Sequence, residues 1–479
     1  MENTENNVQR RPNPRRKLRK KIRKLVRKYK PVARKYAPLA AIALILILFI
    51  SFVVGSVERG NQRREQQRLE SLAAQEALQQ QQILWNQEAN DLLVKAEALA
   101  AAYDYDAAIA MLDTFSGDME DFNALVVTRD RYVQTKDTMV PWSDPSKIPN
   151  LSFHMLVAEP YRTFNHSGYG KSWKWNFITT TEFSNILQQL YANGYVLVDM
   201  EDVITANKTA DGITYEVNTL YLPEGKKPIM FTQTQVNYYT YMVDGDGDGL
   251  ADKKGGGFAS KLILDNGKLV NEMVTKEGTT LRGDYDFVPI LEAFIEQHPD
   301  FSYRGARAVL AVSGYDGLFG YRTDPETAKK LGEDYYQKEL AELPAVLQAL
   351  KDKGYTFGCY TYGNVAYGDI KVDKIKEDLE KWKEEVTPLL GEVEYLVYAK
   401  NSDISTGTGL YSGEKYEVLK NAGFQYYLGF CESNAPWFVR TNEYIRQGRI
   451  VVTGNSLEKY PKMFEGLFET ISVLDSNRK

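Results

Sequence analysis

Residues 37–57 carry no charge and are rich in Leu, Ile, Val and Ala. At ~1.5 Å per residue a helix of that length spans roughly 30 Å, the thickness of bilayer hydrocarbon. Soluble helices that long carry a charged face, so the run predicts a transmembrane helix rather than a buried core helix. Residues 58–84 are Gln-, Arg- and Glu-rich, with Leu69, Leu72, Leu78 and Ile83 as scattered apolar positions. These do not hold the a/d register of a coiled coil, and they predict a polar helical stalk. From Trp85 the periodicity sharpens. Leu92, Ala96, Leu99 and Tyr103 share one helical face, then Tyr105, Ala108, Ile109 and Leu112 another, and a third helix is expected around 122–133. A small helical hairpin over 85–140 follows, closed by Pro141, Pro145 and Pro149.

Beyond Asn150 one pattern repeats: a helical stripe, a Gly-aromatic pair, then a short apolar run. Phe183, Ile186, Leu187 and Leu190 lead to Gly194-Tyr195 and a strand at Val196-Leu197-Val198. Leu343, Val346, Leu347 and Leu350 lead to Gly354-Tyr355 and Thr356-Phe357; Tyr416 and Leu419 lead to Gly423-Phe424 and the run 426–430. Each glycine supplies the left-handed residue that stops a helix. Further apolar runs stand at 151–157, 228–231, 306–312, 395–398 and 449–452. About eight strands interleaved with helices predict a parallel α/β sheet, most simply a barrel over 150–479, with its chemistry at the C-terminal strand ends.

Charge divides the chain in two. The 479 residues sum to −5, yet Arg10 to Lys35 holds 15 Lys or Arg and no acid, within a basic tail over 1–36. Glu2 and Glu5 precede it, leaving 44 basic against 62 acidic residues elsewhere, a balance of −18. The basic flank places the N-terminus in the cytoplasm and against anionic lipid headgroups, and the acidic remainder outside the cell membrane. A cleaved signal peptide is the rival to an anchor. The long basic leader and the lack of an Ala-x-Ala-like site speak against it, although Val53-Val54-Gly55 could be cut. No basic patch remains outside the tail, which excludes a nucleic-acid binder. Two cysteines, Cys359 and Cys431, are no disulfide framework, though export would permit one bridge.

At the strand ends the chain resembles the polysaccharide deacetylases of the NodB-homology family. Phe153-His154 stands where that family has Tyr-His, and Thr181-Glu182-Phe183 through Gly194-Tyr195 to Asp202 resembles its T-x-E-E-F…NGY…DL segment. Lys227-Pro228-Ile229-Met230-Phe231-Thr232 matches the run into T-F-D-D-G. Residues 355–364 match H-E-I-G-S-H-T-Y-S-H, and Tyr398-Ala399-Lys400-Asn401 stands at the usual Y-P-F-G. The resemblance covers about 151–457 and implies a distorted (β/α) barrel with one divalent metal, held by an Asp and two His beside a carboxylate base. Here the base position is Thr234, the Asp position Gln235, and the two His positions Tyr360 and Asn364. Hydroxyls and neutral amides are poor ligands, and the chain's three histidines, His154, His166 and His298, match none of the lost ones. The resemblance with these departures predicts a deacetylase scaffold without catalytic cofactor, binding or scaffolding cell-wall glycan. The alternative is an active metal-dependent hydrolase of acetylated polysaccharide with unorthodox ligands.

Tyr103 to Leu112 resembles the second helix of a tetratricopeptide repeat, which makes the hairpin a candidate protein-docking element. Asp244, Asp246, Asp248 and Asp252 have the D-x-D-x-D-G-x-x-D spacing of a calcium loop, without the twelfth-position Glu of an EF-hand. A solvated acidic loop explains the same residues. Trp173 and Trp175, and Tyr238, Tyr239 and Tyr241, are candidates to stack on sugar rings, one cluster of the two being expected to touch ligand.

Overall fold

The computed structural model describes residues 14–209 and 212–478 and divides the chain into two units, 1–88 and 89–479. The first thirteen residues of the basic tail lie outside the described residues. One helix, Pro14–Ala101, runs through the segments expected as tail, span, stalk and first hairpin helix without a break. Within 1–88, every apolar side chain from Leu39 to Val57 is exposed, as are Leu69, Leu72, Leu78 and Ile83. This is one helix long and apolar enough to cross a membrane.

The second unit begins with three helical segments. Ala89, Leu92, Ala96 and Ala100 on the first are buried, as are Ala108 and Leu112 of Tyr105–Leu112 and Leu125 and Tyr132 of Asn123–Asp137, and the last two helices pack on each other. Tyr103 ties this bundle to the barrel: its hydroxyl donates to the Asp300 carbonyl at 2.8 Å and its ring stacks on Tyr303.

Eight parallel strands build the barrel: β1 (Asn150–Phe153), β2 (Tyr195–Leu197), β3 (Lys227–Thr234), β4 (Val309–Val312), β5 (Thr356–Cys359), β6 (Tyr395–Val397), β7 (Tyr426–Phe430) and β8 (Ile445–Val452). Seven close a ring in the order β1, β3, β4, β5, β6, β7, β8 and back to β1. β2 stays outside the ring. Within the sheet it pairs with just the first residues of β3, Lys227 to Ile229, because β4 takes the same edge of β3 from Thr232 onward, and Leu197 also bridges to Ser302. The expected glycines do stop the helices: Gly194, Gly354 and Gly423 have φ of 80°, 97° and 93°. A capping box opens the helix Thr180–Ala192, with Thr179 and Glu182 exchanging hydrogen bonds. Glu182 also holds the Arg478 guanidinium, so the acid of the T-x-E-E-F-like segment fastens the C-terminal end.

Strand period two sorts the ring into two faces. Leu151, Phe153, Phe231, Leu310 and Ile450 join the helices in the larger apolar cluster. The inner face combines an apolar cluster, including Met230, Ala311, Val397, Leu428 and Ile445, with a polar column. Asn150, Thr232 and Gln447 form one hydrogen-bonded layer, Ser152 and Arg449 the next, and His154 and Thr234 the top. Elements the hydrophobic pattern does not announce are inserted between strands: a hairpin Ile204–Thr209/Gly212–Val217 and a three-stranded sheet of Lys261–Asp265, Lys268–Val274 and Thr280–Gly283.

Candidate binding cleft

The C-terminal ends of the strands open into a cleft of about 890 Å³. Residues just past five of the strands line it: His154 after β1, Gln235 after β3, Tyr360 and Asn364 after β5, Lys400 and Asn401 after β6, and Asn455 after β8. Gln235, Thr361, Asn364, Lys400 and Asn401 all hold φ between 51° and 60°. Left-handed backbone costs a non-glycine residue, most of all a β-branched one such as Thr361, and such residues concentrate at functional sites.

Three of the four positions expected at a metal centre, Gln235, Tyr360 and Asn364, line this cleft together, and Thr234 lies fully buried beneath them. Thr234 is 2.6 Å from His154 Nδ1. Burial pushes the His154 imidazole down to about 4, helped by the Arg449 cation, so the ring is neutral near pH 7. A divalent metal with an Asp and two His does not fit these residues, whose donors are one neutral imidazole, amides and hydroxyls. Lys400 and Glu432 are the charged residues of the lining. Oδ1 of Asn364 and Oδ1 of Asn455 are buried without a hydrogen-bond partner among the described residues. An unpaired buried acceptor is costly.

One wall is aromatic. Trp175 is 52% exposed at the rim, with Tyr169, Tyr241 and Tyr460 also exposed. Trp173 lines the cleft but is only 2% exposed, stacked on Tyr169 at 5.1 Å and edge-on to Phe258. Gly256 makes this packing possible, since a Cβ there would lie 2.5 Å from the Trp173 ring. Both aromatic clusters contribute, Trp173 and Trp175 from one and Tyr241 from the other. Tyr238 and Tyr239 depart from expectation and turn inward. The Tyr238 hydroxyl donates to the buried Asp286 carboxylate at 2.7 Å, Tyr239 pairs with Ser313, and the positive φ of Tyr238 (51°) turns the chain there.

The acidic loop lies just after Tyr241. Asp244, Asp246 and Asp252 bring carboxylate oxygens within 4.8 Å of one another, whereas Asp248 stays outside that group. Asp244 accepts from the amides of Asp246, Gly247 and Gly249, and Asp252 from those of Gly245, Asp246, Lys254 and Gly255. Cys359 and Cys431 are buried and free. His166 packs on Trp173 and His298 on Tyr191 and Phe294. Residues after β8, Thr453, Asn455, Tyr460 and Met463, form a wall that no motif marks; the Thr-Gly-Asn turn directly after an apolar run is the only signal for it.

No family model and no curated protein matches the chain. Among solved structures the Streptococcus pyogenes deacetylase PplD, in complex with acetate, is similar at 14% identity and a TM-score of 0.31, over 65% of this chain and 95% of that one.

Proposed function

We propose that this is a single-pass membrane protein, N-terminus in the cytoplasm, whose exported barrel binds cell-envelope glycan without hydrolysing it. The carrying observation is the cleft at the strand ends, with an aromatic rim over amides and a hydroxyl at Gln235, Asn364 and Tyr360, three of the four positions, and Thr234 buried beneath them. Exposed rings give flat faces for the C–H surfaces of sugars, and the polar side chains of the lining, Gln235, Asn364, Asn401 and Asn455 among them, suit sugar hydroxyls. The helix that exposes Leu39 to Val57 supports the anchor, and the Lys/Arg run before it supports the orientation and contact with anionic lipid. The same reading gives the helical bundle at 89–137 a role in protein docking, and the Asp244–Asp252 loop a calcium ion that stiffens the rim beside Tyr241.

The test pairs two measurements on the purified exported part in its membrane-anchored form, reconstituted in nanodiscs. Calorimetric titration with chitotetraose is expected to show binding in the micromolar to millimolar range typical of shallow sites. Incubation with an acetylated chitooligosaccharide and zinc or cobalt is expected to release no acetate above background. Metal-dependent release abolished by a chelator would replace the binding reading with the hydrolase one.

A further inference from the structure

The cleft floor rests on a buried cation. Arg449 on β8 is 1% exposed. Its Nε donates to the Leu428 and Gly429 carbonyls, one Nη to Ser152 Oγ at 2.9 Å and the other to the Tyr398 carbonyl at 3.0 Å. These donations occupy three of the five guanidinium N–H groups, and every acceptor is neutral. Arg449 makes no ion pair among the described residues. The acid within electrostatic reach, Asp403, is already committed to Arg446 at 2.9 Å and to the Tyr411 hydroxyl. Arg446, Arg307 and Arg478 each have a carboxylate within hydrogen-bond distance, whereas Arg322, also buried, donates like Arg449 to neutral acceptors, the carbonyls of Asn237, Asp316 and Tyr238.

Strand periodicity places this charge directly below the cleft. Arg449 and two of its partners, Ser152 and Tyr398, each stand two residues before a lining residue: Val451, His154 and Lys400. Two residues of strand rise separate the layers by roughly 6–7 Å. Above the cation the floor has no acid, since Thr234 and Gln235 are neutral, and the two charged residues of the lining, Lys400 and Glu432, are exposed and of opposite sign. In a unit whose remainder is acidic, the cleft floor is a local site of positive potential, and low-dielectric walls focus it.

We infer that the sugar unit seated on this floor carries an anionic group, a carboxylate or a phosphate. The inference rests on the glycan-binding reading and narrows it from neutral acetylated glycan to an acidic one. At an effective dielectric near 20, a unit charge ~7 Å away changes affinity by roughly tenfold to a hundredfold.

Three probes separate the cases: chitotetraose, a tetrasaccharide alternating N-acetylglucosamine with glucuronate, and chitotetraose phosphorylated at O6. The expected result is at least tenfold tighter binding of one or both acidic probes at low salt, with the carboxylate and phosphate arms identifying the group. Folded Arg449→Met is expected to lose that preference while still binding chitotetraose. If Arg449→Met does not fold, Lys400→Gln decides: a preference that survives it belongs to the floor, and one that vanishes with it overturns the assignment to Arg449. Equal binding of all three probes overturns the inference and leaves the glycan reading intact. Binding of none removes the glycan reading, and the inference falls with it.

Discussion

The two ends of the barrel use charge in opposite ways. At the N-terminal end, Arg307 bonds Glu292 at 2.6 Å, Tyr355 donates to the same carboxylate, and Tyr395 donates to Glu201. Asp199 accepts from the Arg307 amide, and the residual space there is about 10 Å³. The C-terminal end has about 890 Å³ of space, two charged lining residues and unpaired amide oxygens. Charges that are mutually satisfied in a packed environment lock the fold. Polar side chains around open space can receive a molecule from outside. The difference teaches where to look for function in this barrel: at the end where hydrogen-bonding capacity is unspent.

The sharpest way to break this comparison is to cut one charge at the closed end. Glu292→Ala leaves the buried Arg307 guanidinium without its hydrogen-bonded carboxylate and is expected to cost about 3–5 kcal/mol in urea unfolding, against under ~1 kcal/mol for Asn364→Ala at the open end. Equal losses would show that both ends are structural. Next comes acid sensitivity. His154 folds with its pKa lowered to about 4, so between the unfolded value of 6.5 and 4 the unfolded chain binds more protons than the folded one. Stability therefore rises with pH across that window. Its full value holds above about pH 6.5, and roughly 3 kcal/mol is lost as pH falls toward 4. His154→Asn is expected to flatten this difference in paired urea titrations, and parallel curves would refute the neutral imidazole.

Smaller effects sharpen the picture at the open end. Trp175→Ala is expected to weaken chitotetraose binding by about 1–2 kcal/mol, with an unchanged urea midpoint because the ring is half-exposed. A shifted midpoint would mean the ring is a packing residue. The smallest effect concerns calcium. The Asp246 carboxyl is raised from its ordinary value by partial desolvation and by repulsion from Asp252 and Asp248. Millimolar calcium is expected to add about 1 kcal/mol of stability, seen as a melting shift of a few degrees that Asp246→Asn removes. No shift in the parent protein would leave a solvated loop.

The helix–glycine–strand repeat was legible because its two periods, 3.6 and 2, are local properties. All eight barrel strands fall on apolar runs read from the chain. Asn266-Gly267 is also a local signal: both residues have positive φ and turn the hairpin between Lys261–Asp265 and Lys268–Val274. A reading that follows apolar stripes passes over it. The polar inner column was illegible for a different reason. Ser152, Thr232 and Arg449 are acceptable inside only because partners from other strands satisfy them, and no single strand shows its partner. The site divides likewise. Gln235, Tyr360 and Asn364 could be placed by motif position, but the inward turn of Tyr238 and Tyr239 depends on Asp286 and Ser313, 48 and 74 residues away.

Trp175 at the rim also gives the molecule a built-in optical reporter. Of six tryptophans, Trp173 and Trp382 are shielded from water, so their emission changes little when the cleft fills. Trp175 is wet when the cleft is empty and dries when a sugar ring covers it. Unlabelled protein would then announce occupancy as a blue shift in its own fluorescence, readable in a plate without purified glycan standards.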